Sequence, residues 1–439
     1  MRALAELLAR RGATVTGCDA NPDPIEDLEA LGIPIAKGHS PDHVDGAREL
    51  IVTSAMPRNH PEIVRARDLG IPITRRAEAL GRAVAGGRLV AIAGTHGKTT
   101  TTVMTTGALA SAGLRPTGIA GGRVGEWNGN LRYESDELFV VEADEYDRSF
   151  LTLSPTIAVV TNIEADHLDI YSDLDDIRLT FSRFVRDAAA IVLCDDDQGA
   201  KSLVVPPSAE VIRYGIKSRD ARLVASDISS EGHATTFSVS YDGEALGSVA
   251  LRVPGNHNVQ NALGALGAGL ALGVGFEEMR HGLEKFGGVD RRFQRLFQVA
   301  GVTIVDDYAH HPTEIAATLQ AARASYPDRR IVAAFQPHLF SRTRDFSDAF
   351  AEALSAADSV FLAEIYPARE QPIPGVTSDL VSSAMKRTGH PVIWQGDRSN
   401  LADALTNFVR DGDVVITIGA GDITRTGREL KERLETEHR

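Results

Sequence analysis

Residues 88–102, RLVAIAGTHGKTTTT, bring together the residue types that handle phosphate. An apolar run ends at Ala93 and breaks at Gly94. Gly97 then precedes Lys98 and Thr99, and helix-compatible residues continue to Gly113. Glycines let backbone N–H groups turn inward, a helix N-terminus adds positive potential, and a lysine meets the β- and γ-phosphates. The spacing predicts a strand–loop–helix cradle in which Gly94, Thr95, His96, Gly97, Lys98, Thr99 and Thr100 hold the phosphates of a ligand. The Thr99 hydroxyl is placed to meet a magnesium ion. Ile92 stands where the full G-x-x-x-x-G-K-[ST] pattern has its first glycine, so the loop is a shortened variant.

Four further groups of residues have types and positions suited to the same chemistry. Glu142 is the first acidic residue after the apolar run 138–141. A carboxylate at the end of a neighbouring strand holds magnesium in phosphate-loop enzymes; the alternative is a solvated acidic turn. His167 closes the segment NIEADH, again just past an apolar strand. A histidine among oxygen ligands is unusual for magnesium and suits a second, manganese-tolerant site; taken alone it reads as a surface or hydrogen-bonded histidine. Asn258 and Asn261 lie three apart at the start of an Ala/Leu/Gly helix and share a face. They serve equally as readers of an adenine edge or as N-cap residues. Arg291 and Arg292 follow Gly287-Gly288. A guanidinium delivered by a mobile domain onto a γ-phosphate stabilises charge during transfer, with a solvated basic pair as the alternative.

Two more loops, 306–312 (DDYAHHP) and 335–344 (FQPHLFSRTR), follow successive apolar strands. Parallel α/β sheets place ligands beyond the carboxyl ends of their strands. Arginine for a carboxylate, with acidic or imidazole groups for an amine, suits a small zwitterion.

The elements that must hold these residues form an α/β pattern. Residues 1–86 alternate helix and strand: helix Arg2–Arg11, strand ATVTGCD, helix Ile25–Leu31, strand ELIVTSA, and a helix opening near His60-Pro61. This is a doubly wound pattern, yet it opens on a helix. The initial strand and glycine-rich turn of such a nucleotide-binding unit are missing, so a truncated first domain is expected. Ala85-Gly86-Gly87 and Gly287-Gly288 mark linkers, which gives domains 1–86, 87–289 and 290–439. TTFSVSYDG and SVALRVPG predict a hairpin, and VTIVDDY, RIVAAFQ, SVFLAEI and VVITIGAG predict the strands of the last domain.

Composition excludes several classes. The 439 residues carry a formal net charge of −14, which leaves no domain-wide positive field for nucleic acid. The chain has two cysteines, Cys18 and Cys194, too few for a disulfide framework. No apolar run reaches the roughly 18 residues of a membrane span, and a signal-peptide core is absent, so a cytoplasmic protein without membrane insertion is expected.

GTHGKTTTT, EADEYDRSF, NIEADHLDIY, GNHNVQNAL, RRFQ, DDYAHHPTEI, FQPHLFSRT and a late GAGDI occur in this order between about residues 3 and 423. Together they resemble the Mur ligase family, most closely its alanine-adding branch. The resemblance implies three domains: a Rossmann-like UDP-sugar domain, a central P-loop ATPase domain and a Rossmann-like amino-acid domain. It implies that ATP phosphorylates the carboxylate of UDP-N-acetylmuramate and that the amine of L-alanine attacks the acyl phosphate. Lys98 would hold ATP phosphates, Thr99 and Glu142 a first magnesium ion, and His167 a second. Asn258 and Asn261 would meet adenine, and Arg291 or Arg292 the γ-phosphate. Asp307, Tyr308, His310 and Arg342 would surround alanine and ATP.

Siblings carry a carbamylated lysine after the D-H-x-D segment. The alanine-adding branch lacks it, as does this chain, which has no lysine between His167 and Lys201. Some members have arginine where Leu339 stands. A recycling ligase that attaches a preformed tripeptide to the same sugar nucleotide is the nearest alternative, and a catalytically impaired nucleotide-binding homologue the next. A monomer or homodimer is expected.

Overall fold

The computed structural model describes residues 1–20, 26–218 and 220–437 of the chain. They fall into two compact units. The first is Met1–Ser226, Ser238–Val249 and Val259–Phe286; the second is Asp227–Phe237, Ala250–Asn258 and Gly287–Arg439. Among the described residues no helix is long and apolar enough to cross a membrane.

Helix Arg2–Arg10 opens the chain, followed by β1 (Gly17–Asp19), helix Glu26–Glu29, β2 (Ile35–Lys37), β3 (Leu50–Val52), helix Pro61–Asp68, β4 (Ile73–Arg75) and helix Arg76–Val84. The alternation matches the sequence reading, but the strands are shorter. ATVTGCD contributes only its last three residues and ELIVTSA its Leu-Ile-Val. Ile25, read as the start of a helix, lies outside the described residues. The strands pair in parallel as β1–β2 and β3–β4, two separate sheets. Parallel sheets persist where both faces are covered, and these strands are mostly half-buried. Arg11 ties this region down by donating to the Ala83 carbonyl (2.7 Å) and pairing with Asp136 (2.6 Å).

Next come β5 (Arg88–Ala93), β6 (Thr117–Val124), β7 (Gly129–Arg132), β8 (Leu138–Glu142), β9 (Ile157–Val160), β10 (Ala190–Cys194), β11 (Glu210–Gly215), β12 (Leu223–Glu231), β13 (Ala234–Tyr241) and β14 (Glu244–Leu251). They form a ten-stranded sheet in the order β14-β13-β12-β11-β10-β9-β5-β8-β6-β7. β5 lies between β9 and β8, parallel to both, and is buried along Leu89–Ala93. The expected hairpin is β13–β14. β6, β7 and β12 add strands that periodicity did not suggest.

The phosphate-loop helix runs Lys98–Ser111. Its threonines are poor helix formers, yet residues 99–106 are all buried. Thr105 and Thr106 return their hydroxyls to the carbonyls of Thr101 and Thr102 (2.7 and 2.8 Å), which satisfies them within the helix. The Ala/Leu/Gly helix starts two residues earlier than expected, at Asn256, and ends at Ala271.

In the second unit, β15 (Gln294–Val299), β16 (Val302–Asp307), β17 (Ile331–Phe335), β18 (Ser359–Ala363), β19 (Trp394–Gly396) and β20 (Val414–Ile418) form a sheet in the order β15-β16-β20-β17-β18-β19. Only β15 is antiparallel to its neighbour. The four strands read from sequence are β16, β17, β18 and β20, all fully buried. Asp307 and Phe335 both pair with Ile418. The loops after β16, β17 and β20 therefore leave the sheet at one level.

Candidate active site

The phosphate loop is clamped from the carboxyl end of β9. Thr95 N–H donates to the Asn162 carbonyl (3.0 Å), His96 N–H to Asn162 Oδ1 (2.7 Å), and Glu164 N–H to Thr95 Oγ1 (2.9 Å). Thr161 Oγ1 donates to the His96 carbonyl (2.6 Å). Gly94 has φ +141°; a Cβ there would overlap Thr161 Oγ1 and stand 3.1 Å from Asn162 N. Gly97, the helix N-cap, has φ +80°, and its Cβ would stand 2.5 Å from Asn261 Oδ1. Both glycines are thus required by conformation and by space. We expect Gly94→Ala to lose about 2 kcal/mol of stability from backbone strain alone, and nucleotide affinity with it. A urea midpoint equal to the parent's would refute this.

Lys98 folds back over the loop. Its Nζ donates to the carbonyls of Gly94 (2.7 Å) and Thr95 (3.2 Å) and pairs with Glu145 at 2.8 Å. Burial pulls the ammonium pKa down, but the carboxylates of Glu145, Asp144 and Glu142 outweigh it and hold Lys98 charged. Burial pushes Glu145 up to about 7, against the pull of Lys98.

Glu142 ends β8, and its Oε2 accepts from Gly121 N–H (2.6 Å). His167, with φ +53°, brings Nε2 to 3.7 Å from Glu145 Oε1 and sets its ring edge-on to Tyr146. Glu145 therefore links Lys98 to His167. Sequence reasoning passed over it because EADE offers three carboxylates. Only the tertiary contacts, including Tyr171 donating its hydroxyl to the Glu145 carbonyl (2.6 Å), identify the buried one.

The asparagines are buried within the protein. Asn261 Oδ1 accepts from Thr101 Oγ1 (3.2 Å), and Asn258 Nδ2 donates to the Pro254 carbonyl (2.7 Å). Both lie inside the helix that begins at Asn256 and so are not its N-cap. His257, also unselected from sequence, is pushed down to about 4 by burial and by Arg292 and stays neutral.

In the second unit the segment after β16 turns directly into helix Pro312–Ser325. Pro312 occupies the first turn, and Glu314 Oε2 accepts from the N–H groups of His310 (3.0 Å) and His311 (3.3 Å), forming a capping box. This cap fixes His310, whose Nδ1 lies 3.1 Å from the Tyr308 carbonyl and 3.2 Å from Glu314 Oε2. Asp307 accepts from Phe293 N–H (2.8 Å) and Ala309 N–H (2.7 Å), and burial pushes it up to about 6.

The Tyr308 ring receives the guanidinium groups of Arg291 and Arg292 at 4.8 and 5.3 Å. A ring series continues from Tyr308 to His310, His338 and Tyr366. Arg342, buried, reaches His338 Nδ1 at 3.4 Å. A bridge between the backbones of His338, in the loop 335–344 read from sequence, and Tyr366 brings Tyr366 into this cluster, which spacing in sequence does not reveal. The two arginines differ. Arg291 Nε donates to Asp306 Oδ2 (3.0 Å) and Nη2 to the Gly419 carbonyl (2.6 Å), whereas Arg292 reaches Glu314 at 3.2 Å. The late GAGDI segment thus anchors Arg291; it also holds Gln336, which accepts from Ile423 N–H (3.1 Å) and donates to Asp422 (3.0 Å).

A glycine-built phosphate loop on a central parallel strand, with an acidic residue ending the adjacent strand, defines a P-loop nucleotide-binding protein. Residues 1–88 match the Mur ligase family catalytic domain, 92–269 the Mur ligase middle domain and 291–421 the Mur ligase glutamate ligase domain. The chain is 43% identical to UDP-N-acetylmuramate–L-alanine ligase of Geotalea daltonii, over 99% of this chain and 95% of that protein. It is similar to the crystal structure of UDP-N-acetylmuramate-alanine ligase from Thermotoga maritima (TM-score 0.85, 29% identity, 100% and 97% covered). It is also similar to a murein peptide ligase from Psychrobacter arcticus (TM-score 0.74, 26% identity, 99% and 96% covered). The chain belongs to the Mur ligase family.

Proposed function

We propose that the chain is a cytoplasmic ATP-dependent ligase that joins L-alanine to the carboxylate of UDP-N-acetylmuramate, a step of peptidoglycan precursor synthesis. The carrying observation is the 43% identity over 99% of the chain to a relative of that name. The γ-phosphoryl group of ATP passes to the carboxylate, giving ADP and an acyl phosphate. The alanine amine attacks the acyl carbon and loses a proton, and the tetrahedral intermediate expels inorganic phosphate as the amide forms.

The family matches support functional domains at 1–86 for the UDP-sugar, 87–289 for ATP and 290–439 for the amino acid. Gly94, Thr95, His96, Gly97, Lys98, Thr99 and Thr100 form the phosphate cradle. Oxygen donors on Thr99 and Glu142 suit a magnesium ion, and His167 a second metal. Bound there, such ions neutralise charge between nucleotide and acceptor. Asn258 and Asn261 contribute to the adenine side. Arg292 is the arginine offered to the γ-phosphate, because Arg291 is held by Asp306 and Gly419. Asp307 serves the ATP side, and Tyr308, His310 and Arg342 surround alanine.

The test is phosphate release that requires L-alanine, UDP-N-acetylmuramate and magnesium together. A preference for a preformed tripeptide over L-alanine in competition would assign the murein-recycling reaction instead, and release of no phosphate with any acceptor would overturn the ligase reading. We further expect His310→Ala to raise the alanine KM about tenfold with little change in kcat. Unaltered alanine kinetics would remove His310 from the amino-acid site.

A further inference from the structure

The N-terminal sheet β1–β2 carries a cluster of metal-ligating side chains that the phosphate loop and the Tyr308–His310 cluster do not use. Cys18 is the middle residue of β1, His39 lies two residues past β2, and Glu62 sits in the first turn of helix Pro61–Asp68. The parallel register sets Asp19 against Lys37, so both strands end at the same level. Cys18 Sγ is 3.3 Å from His39 Nδ1 and 3.0 Å from Glu62 Oε1, and His39 Nδ1 is 3.7 Å from the same oxygen.

Zinc bonds of 2.3 Å to sulfur and 2.0–2.2 Å to nitrogen or oxygen put tetrahedral ligand atoms about 3.3–3.7 Å apart. Two of the three separations already lie in that range. The third is shorter because the thiol donates a hydrogen bond to the carboxylate; a cation in its place needs an opening of only a few tenths of an ångström.

Groups outside the triad hold it in position. Ser40 N–H donates to Glu62 Oε1 (3.2 Å), and His43 Nδ1 lies 3.1 Å from the same atom. His60 places its ring edge-on to His39, with centroids 4.8 Å apart. Outer partners of this kind orient metal ligands. Glu62 is 1% exposed, which fixes the floor of the site, while the exposed His39 leaves an entry path from solvent. Glu62 Oε1 thus collects Cys18, Ser40 and His43, more polar neighbours than a single oxygen has lone pairs.

We propose that Cys18, His39 and Glu62 form a site for a thiophilic divalent cation of the zinc type, with a fourth position open to water or an anionic oxygen. Thiolate, imidazole and carboxylate together select zinc-like ions over magnesium or calcium. Binding forms the metal–sulfur bond and breaks the S–H bond, and the proton leaves to buffer. The site stands independently of the ligase reading.

Cobalt(II) titrated into the full chain in excess magnesium provides the test. The expected result is a thiolate-to-cobalt charge-transfer band that saturates at about one equivalent and is displaced by zinc. Cys18→Ser abolishes the band, whereas Cys194→Ser keeps it. His39→Ala, at an exposed position on which the core does not rest, weakens cobalt binding by at least about tenfold. No band in the parent, a band that follows Cys194, or undiminished affinity in His39→Ala would each overturn the site.

Discussion

Lys98→Ala is expected to lower turnover by about 10³-fold, because it removes a fixed positive charge from the phosphate cradle. Phosphate release with L-alanine, UDP-N-acetylmuramate and ATP measures it. The same substitution has a second consequence, set by Glu145. That carboxyl is buried and already pushed up to about 7 with the lysine beside it. A carboxyl whose folded pKa exceeds its ordinary value of 4.5 contributes stability below pH 4.5 and loses it as pH rises through 7. Without Lys98 the opposing pull disappears, and ionising Glu145 becomes harder still. At pH 8 an unpaired buried carboxylate costs about 3 kcal/mol; near pH 5 the group is protonated and the penalty shrinks. The gap between parent and variant urea midpoints should therefore widen from pH 5 to pH 8. A gap independent of pH would mean that Glu145 does not depend on Lys98.

The phosphate loop was legible because its constraints are local. Gly94 and Gly97 are needed at positive φ, and the following helix starts where the lysine and threonines begin. The loop after β16 was legible for a similar reason: H-P-T-E is a helix start written in four residues, and the structure uses it as one. Strands β6 and β7 were hidden by composition. TGIAGGRV holds three glycines, which ordinarily weaken a strand. The space at Gly118 is filled from outside the strand, by Trp127 and Thr106, each of which would stand 2.7 Å from a Cβ there. Residues such as Glu145 and Tyr366 were hidden for another reason. Each becomes part of a site only when a second segment covers it, and neither period nor spacing encodes that cover.

The metal-ligating set in the N-terminal sheet combines both cases. Cys18 lies within β1 and His39 just past its parallel neighbour β2, a relation that strand order alone suggests. Glu62 arrives from a helix start, where proline in the first turn and the His60 ring accepting from Glu62 N–H fix its approach. The sequence marks the three only as a strand residue, a loop residue and a helix start. Their common oxygen, Glu62 Oε1, is a property of the folded chain.

Arg291 and Arg292 are adjacent in sequence, but the folded chain gives them different work, and substitution should separate them. Asp306 is fully buried; it accepts from Arg291 Nε (3.0 Å), Thr417 Oγ1 (2.6 Å) and Thr424 Oγ1 (2.9 Å). Removing the guanidinium leaves that carboxylate with hydroxyl donors and no countercharge, and it frees the Gly419 carbonyl as well. Breaking a buried pair in this way costs about 3 kcal/mol, so Arg291→Ala should unfold at markedly lower urea. Arg292 pairs with Glu314 at a position about 29% exposed on the arginine side. An ion pair so placed contributes about 1 kcal/mol or less. Arg292→Ala should therefore keep a near-parental midpoint while its kcat falls about 10²-fold, the loss expected for one charge on the transferring phosphoryl group. Urea midpoints and steady-state rates on the two variants decide the assignment. A stable Arg291→Ala with low kcat, beside a fully active Arg292→Ala, would transfer the phosphate role to Arg291 and require it to leave Asp306 during turnover.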